Sequence, residues 1–99
     1  MNIETLLKDV TENITGEPIK INRTRNAPIP MQIWGLQGGT TVVLEGTITD
    51  GDPSEAQWCK VSGGKWTSNI CEGLYINFSY VRAVVENYAG GSVNMVLSM

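Results

Sequence analysis

Residues 80–99 read YVRAVVENYAGGSVNMVLSM, two runs of alternating side chains on either side of a glycine pair. In the first run, Val81, Ala83 and Val85 alternate with a set that includes Tyr80, Arg82 and Glu86. In the second run, residues 92–99, apolar side chains again recur at every second position. A period of two is typical of β-strands that bury one face. The stretch therefore predicts two strands joined by a turn, as in a hairpin.

The same alternation recurs upstream, most clearly over residues 40–49. Clusters of Gly, Asp, Asn, Ser and Pro separate the runs, and these are the residues that form turns. Residues 56–61 and 65–68 are predicted to pair as a short hairpin across the glycines at 63–64. The sequence therefore predicts an all-β fold, a small antiparallel β-sandwich of about seven or eight strands, either jelly-roll or immunoglobulin-like.

The N-terminal residues 1–16 follow a different pattern. Four apolar side chains recur there at helical spacing: Ile3, Leu6, Leu7 and Val10. One or two isolated helical turns are marginal in water. We therefore expect residues 1–16 to form an N-terminal arm or edge segment that becomes ordered against a neighbour, and residues 17–99 to form a single β-sandwich domain.

Length and composition exclude several classes of function. A chain of 99 residues makes one small domain, and its net charge of −3 disfavours capture of nucleic acid. Histidine is absent, which excludes catalytic triads that use it as a base, so we expect no enzyme activity. No secretory leader or membrane-spanning run is visible, and we expect synthesis in a cytoplasm and no membrane partner.

Two groups of residues with possible chemistry have simpler explanations. Asp50, Asp52 and Glu55 could offer oxygen ligands to calcium, but Asp-Gly-Asp-Pro is also a typical turn sequence. Cys59 and Cys71 cannot complete a four-ligand zinc site without histidine. They are either reduced thiols or a disulfide between adjacent strands. We predict no metal and no other cofactor, favour the turn, and leave calcium open.

Aromatic and basic side chains are the remaining candidates for binding. The chain has three tryptophans: Trp34, Trp58 and Trp66. Tryptophans in a β-sandwich pack in the core, form the apolar centre of a subunit or docking interface, or stack on sugar rings. A sugar platform would use Trp58, Trp66 and Tyr75. Arg23 and Arg25 lie in an irregular stretch, and we expect them to be solvated or to pair with carboxylates of a partner subunit.

The C-terminal sequence, YVRAVVENY at 80–88 and AGGSVNMVL at 89–97, resembles the closing hairpin of small virion proteins of tailed bacteriophages. Residues 58–66 and the segment Gly73-Leu74-Tyr75 fit the same plan, so the resemblance covers residues 40–99. Such proteins resemble capsid decoration or cement proteins, head fibres and tail-associated sandwiches. The resemblance implies a non-enzymatic virion structural protein, a decoration or cement protein that stabilises the head. The alternative is a carbohydrate-binding sandwich displayed on a head fibre or tail.

A decoration protein would lie on the capsid surface and bind the major capsid protein or other virion subunits, and we expect it to form a homo-oligomer. Under the alternative its ligand would be a glycan. The candidate partner-binding residues are the apolar side chains of the arm, the two arginines and the tryptophans: Ile3, Leu6, Leu7, Val10, Arg23, Arg25, Trp34, Trp58 and Trp66. Deleting residues 1–16 is then expected to weaken capsid attachment and to leave the sandwich folded.

Overall fold

The computed structural model describes residues 3–21, 28–49 and 51–99. Within these residues the chain forms nine β-strands and one short 3-10 helix. The strands are β1 (Ile3–Val10), β2 (Ile14–Thr15), β3 (Ile19–Lys20), β4 (Ile29–Trp34), β5 (Thr41–Thr47), β6 (Cys59–Trp66), β7 (Ile70–Leu74), β8 (Tyr80–Glu86) and β9 (Val93–Ser98). The 3-10 helix, Pro53–Glu55, lies in the connection between β5 and β6.

The strands form two antiparallel sheets that pack face to face. Sheet A has four strands in the order β1-β9-β4-β7. Sheet B has five strands, in the order β2-β8-β5-β6 with β3 also pairing with β8. The predicted all-β antiparallel sandwich is therefore confirmed.

Strand pairing is nested along the chain. β1 pairs with β9, β2 and β3 with β8, β4 with β7, and β5 with β6. This pairing describes one long antiparallel ribbon folded over on itself, the arrangement of a jelly roll. An immunoglobulin-like sandwich has strands A, B, E and D in one sheet and C, F and G in the other. The topology thus selects the jelly roll from the two types that the sequence leaves open.

The core lies between the sheets and is built from the inward-facing positions of both. Alternation predicts these positions correctly in β8 and β9, because side chains of a strand point to opposite faces in turn. In β9, for example, Val93, Met95 and Leu97 are buried. The largest fully buried side chains come from both sheets and from the β7–β8 connection: Ile33, Leu44, Ile76, Met95 and Leu97.

The hairpin predicted for residues 80–99 is wrong. Both predicted strands exist, but β8 lies within sheet B and β9 within sheet A, so the connection crosses from one sheet to the other. Gly90 and Gly91 lie in this connection with φ of 130° and 85°. Positive φ suits glycine in any tight reversal, so the glycine pair marks a change of direction without revealing which strand is the partner.

The hairpin predicted across the glycines at 63–64 is also wrong, because residues 59–66 form the single strand β6. Val43 and Glu45 lie two residues apart on β5, but their partners on β6, Lys65 and Lys60, lie five residues apart. The extra residues form a bulge. A bulge, like a turn, places glycine at positive φ, so the two structures share one sequence signal.

Residues 3–10 form β1, an edge strand of sheet A ordered against β9 of the same chain. Leu6 and Leu7 are both buried, although neighbouring residues of a regular strand face opposite ways. Register shifts on either side of Leu7 explain this, with Asp9 at a φ of 48°. Because each bulge adds a residue to one strand, the apolar side chains acquire a spacing that imitates a helix.

Candidate functional site

The partner-binding residues expected from the sequence separate into four groups. Three lie in the core: Leu6, Leu7 and Trp66. Two are half-buried: Val10 and Trp58. Two are exposed: Ile3 and Trp34. The remaining two lie outside the described residues: Arg23 and Arg25.

The aromatic rings of the sugar platform do not share a face. Trp66 points into the core and is only 7% exposed. Trp58 lies on the opposite side of sheet B, where its ring covers the guanidinium of Arg82 with 4.3 Å between the guanidinium carbon and the ring centre. Tyr75 is 69% exposed in the β7–β8 connection. A flat stacking surface made of these three rings is therefore not formed.

The outer face of sheet B is charged and partly covered. Arg82 donates from Nε to Oε1 of Glu45 at 2.7 Å, beneath the ring of Trp58. Trp58 is held in place by a 3.2 Å hydrogen bond from its Nε1 to the carbonyl oxygen of Pro53. Charged side chains occupy these outward-facing positions: Lys20, Glu45, Lys60, Lys65, Arg82 and Glu86.

The outer face of sheet A is uncharged across β9, β4 and β7. Its outward-facing positions are Pro30, Gln32, Trp34, Cys71, Gly73, Asn94, Val96 and Ser98, and we call this surface the neutral face. Trp34, 41% exposed, is its largest side chain. Ile3 extends it onto β1, since Ile3 pairs with Ser98 while Trp34 pairs with Asn94. The two exposed candidates thus share one face, about 13 Å apart along β9 at 3.3 Å per residue.

The surface beside Trp34 is shaped and held by hydrogen bonds. A shallow depression of about 360 Å³ lies there, bounded by Val96 and, on β1, by the charged residues Lys8 and Asp9 among others. Asn94 accepts a 2.9 Å hydrogen bond from the backbone N–H of Asp9 and donates from Nδ2 to a carbonyl oxygen, also at 2.9 Å. The first bond ties β9 to the bulged end of β1, and the second fixes the Asn94 amide on its own segment. A partner binding here would meet a surface that is already ordered, which lowers the entropic cost of association.

The sheet edges carry features that oppose pairing with another strand. β1 and β6 contain bulges, and β2 and β3 have only two residues each. On β7, Glu72 pairs with the buried Met31 and so has an inward-facing register position, although Glu72 itself is exposed at this edge. Short strands, bulges and inward-pointing charges are the devices by which proteins prevent edge-to-edge association. We therefore expect a partner on a face of the sandwich.

Glu72 is the residue that sequence analysis missed. It lines a cleft of about 290 Å³ between β6 and β7, which we call the β6–β7 cleft. Its Oε1 accepts a 2.8 Å hydrogen bond from Nε1 of Trp66. The signal in the sequence is an acid between two apolar residues at alternate positions, and it gains meaning only when β7 is known to be an edge strand.

The acidic segment after β5 forms a capped turn. Oδ1 of Asp52 accepts hydrogen bonds from the backbone N–H and the hydroxyl of Ser54 at 2.9 and 2.8 Å. These bonds, the backbone bond first, hold the pKa of the Asp52 carboxyl below its ordinary value. Asp50 lies outside the described residues. Over residues 3–21, 28–49 and 51–99, no three His, Cys, Asp or Glu side chains are grouped as metal ligands.

Cys59 and Cys71 are both free and exposed. They lie on β6 and β7, which are not adjacent strands of one sheet, so the cross-strand disulfide that the sequence left open is not formed. Among the described residues, no helix is long and apolar enough to cross a membrane.

Comparison with protein-family models, curated proteins and solved structures yields no match. The resemblance to virion proteins therefore rests on the residues quoted for it.

Proposed function

We propose that this protein is a non-enzymatic structural protein of a tailed-bacteriophage virion, a capsid decoration or cement protein that docks on the head through the neutral face. The observation that carries the proposal is the outer face of sheet A, which is uncharged across β9, β4 and β7 and exposes Trp34. The centres of protein interfaces are depleted in charge and enriched in tryptophan. The neutral face has both properties, whereas the outer face of sheet B is charged and its tryptophan, Trp58, is half-buried over Arg82.

The fold adds weaker support. Jelly rolls occur in viral capsid proteins and also in lectins, and a fold by itself does not assign a function. The side chains on the surface must therefore distinguish a capsid-binding role from a sugar-binding role. The separation of Trp58, Trp66 and Tyr75 removes the ring platform on which the carbohydrate alternative depended, so the virion role is the better supported of the two. Its partners would be the major capsid protein and further copies of this chain.

The test is co-sedimentation of the purified protein with expanded heads of the phage whose genome encodes it. Wild-type protein is compared with Trp34→Ser and with the control Ile48→Ser, which removes an exposed apolar side chain outside the neutral face. Central tryptophans contribute at least about 2 kcal/mol to many interfaces, so Trp34→Ser should weaken head binding about 30-fold. Ile48→Ser should bind like the wild type. Equal binding of all three proteins, or a gene that lies among no phage head genes, would overturn the proposal.

Oligomeric state is a separate part of the proposal. Light scattering on a sizing column should show a stable oligomer for the wild type. A monomer at all concentrations would remove the homo-oligomer and leave single copies docking on the head.

A further inference from the structure

The β6–β7 cleft lies where the edge strands of the two sheets diverge. Two buried core residues, Leu44 and Ile76, form part of its lining. Further apolar surface comes from Val61, Leu74 and Trp66, and the exposed ring of Tyr75 also lines the cleft. A ligand in this cleft would therefore contact the hydrophobic core directly.

One charge lies at the edge of this apolar lining, on a residue that is exposed to solvent. Of the described side chains that line the cleft, only Glu72 is charged at neutral pH. Its carboxylate accepts one hydrogen bond, from Trp66, although a carboxylate offers about four acceptor sites. No ammonium or guanidinium group among the described residues pairs with it. Glu72 therefore has acceptor capacity and negative charge left for a ligand.

We propose that the β6–β7 cleft binds an arginine side chain presented by a partner protein. The apolar walls suit the methylene stem of arginine, which packs on apolar surface while its charged end stays hydrogen-bonded. The guanidinium pairs with the carboxylate of Glu72 and stacks on the ring of Tyr75, as planar cations do on aromatic faces. Arginine fits better than lysine because its planar fork matches a carboxylate and also stacks.

Size and polarity distinguish this ligand from a cofactor or a sugar. The cleft volume of about 290 Å³ lies at the lower limit of small-molecule sites, which run from roughly 300 to 1,000 Å³. A sugar needs several donors and acceptors arranged around its ring. Apart from backbone groups, the polar lining consists of Glu72, Ser62, the Tyr75 hydroxyl and the indole N–H of Trp66, which is already donated to Glu72. The site is independent of the proposed virion role, because it would recognise the same side chain on any partner.

The experiment titrates the protein, labelled with ¹⁵N, with a blocked Gly-Arg-Gly peptide. The matched peptide contains citrulline, which has the shape of arginine without its charge. The indole N–H resonance of Trp66 reports on the cleft, and those of Trp34 and Trp58 serve as internal controls. We expect a saturable shift of the Trp66 signal with a Kd on the order of 1–10 mM. The citrulline peptide should bind at least about tenfold more weakly, having lost a charge-assisted pair.

Two variants test the residues. Glu72→Gln keeps an acceptor for the Trp66 indole and removes the charge, so it should weaken binding of the arginine peptide about tenfold. Glu86→Gln removes the same charge from the outer face of sheet B and should leave binding unchanged. If Glu72→Gln fails to fold, Tyr75→Ser, at an exposed position, should weaken binding severalfold.

Three results would overturn the proposal. The first is the absence of a saturable shift up to about 100 mM peptide, roughly ten times the highest expected Kd. The second is equal binding of the arginine and citrulline peptides, or wild-type binding by both Glu72→Gln and Tyr75→Ser. Either outcome would leave Glu72 only the role of preventing edge-to-edge strand pairing. The third is a stronger response of Trp66 to methyl glycosides than to the peptide, which would make the cleft a sugar site. The peptide assay contains no capsid, so its failure does not bear on the neutral face.

Discussion

Replacing Leu7 with alanine tests whether β1 is part of the folded sandwich. Leu7 is 3% exposed and pairs with Met95, a fully buried residue of β9. Leu→Ala substitutions in protein cores cost about 2–5 kcal/mol, and the lower values apply where neighbours can close the cavity. Because β1 is an edge strand, we expect Leu7→Ala to lower the free energy of unfolding by about 2–3 kcal/mol. For a domain of this size, that corresponds to a fall in Tm of roughly 8–24 °C.

Ile3→Ala is the matched control on the same strand. Ile3 is 59% exposed, and exposed substitutions usually change stability by less than about 0.5–1 kcal/mol. Urea denaturation followed by tryptophan fluorescence measures both variants, and a shift in midpoint at constant slope identifies a change in stability. If the free energies of unfolding of Leu7→Ala and Ile3→Ala differ by less than about 0.5 kcal/mol, Leu7 is not packed in the core. Residues 1–16 would then be the dispensable arm that the sequence suggests.

Three further predictions concern the connections and the charged face. Gly35→Ala places a methyl group on a residue with φ of 89° and against a backbone carbonyl, so it should lower the free energy of unfolding by at least about 1–3 kcal/mol. At Gly39 an added methyl group meets no atom within 4 Å, so Gly39→Ala should stay within about 1 kcal/mol of wild type. Equal urea midpoints for the two variants would contradict this prediction. Arg82→Lys should cost about 1–2 kcal/mol in the same assay, because lysine cannot keep both the Nε hydrogen bond and the ring contact; an unchanged midpoint would show that these contacts add nothing. Hydrogen bonds to Ser54 lower the pKa of the Asp52 carboxyl. The stability that they contribute is present above the unfolded-state pKa and is lost as the pH falls through the folded-state pKa. Ser54→Ala should raise the pKa of Asp52 in an NMR titration, and an unchanged value would contradict the assignment.

Much of the candidate site could not be predicted from the sequence. Trp34 was a candidate because of its residue type, and the sequence left core and interface open for all three tryptophans and a sugar platform for Trp58 and Trp66. Trp66 turned out to be a core residue and Trp58 a partner of Arg82. The neutral face combines residues from β4, β7 and β9, which are distant in the chain. Absence of charge over a surface becomes visible only when the strand order is known.

The sequence by itself determined the fold class and the inward-facing side of the strands. The alternation of Val81, Ala83 and Val85 is local, and it identifies a buried face whatever the strand pairs with. Only the tertiary structure decided that β8 and β9 lie in different sheets, that the glycines at 63–64 form a bulge, and that Leu6 and Leu7 are both buried. Partner choice and register depend on contacts between residues far apart in the chain, summed over the whole sandwich, and a local pattern of side chains carries no information about them.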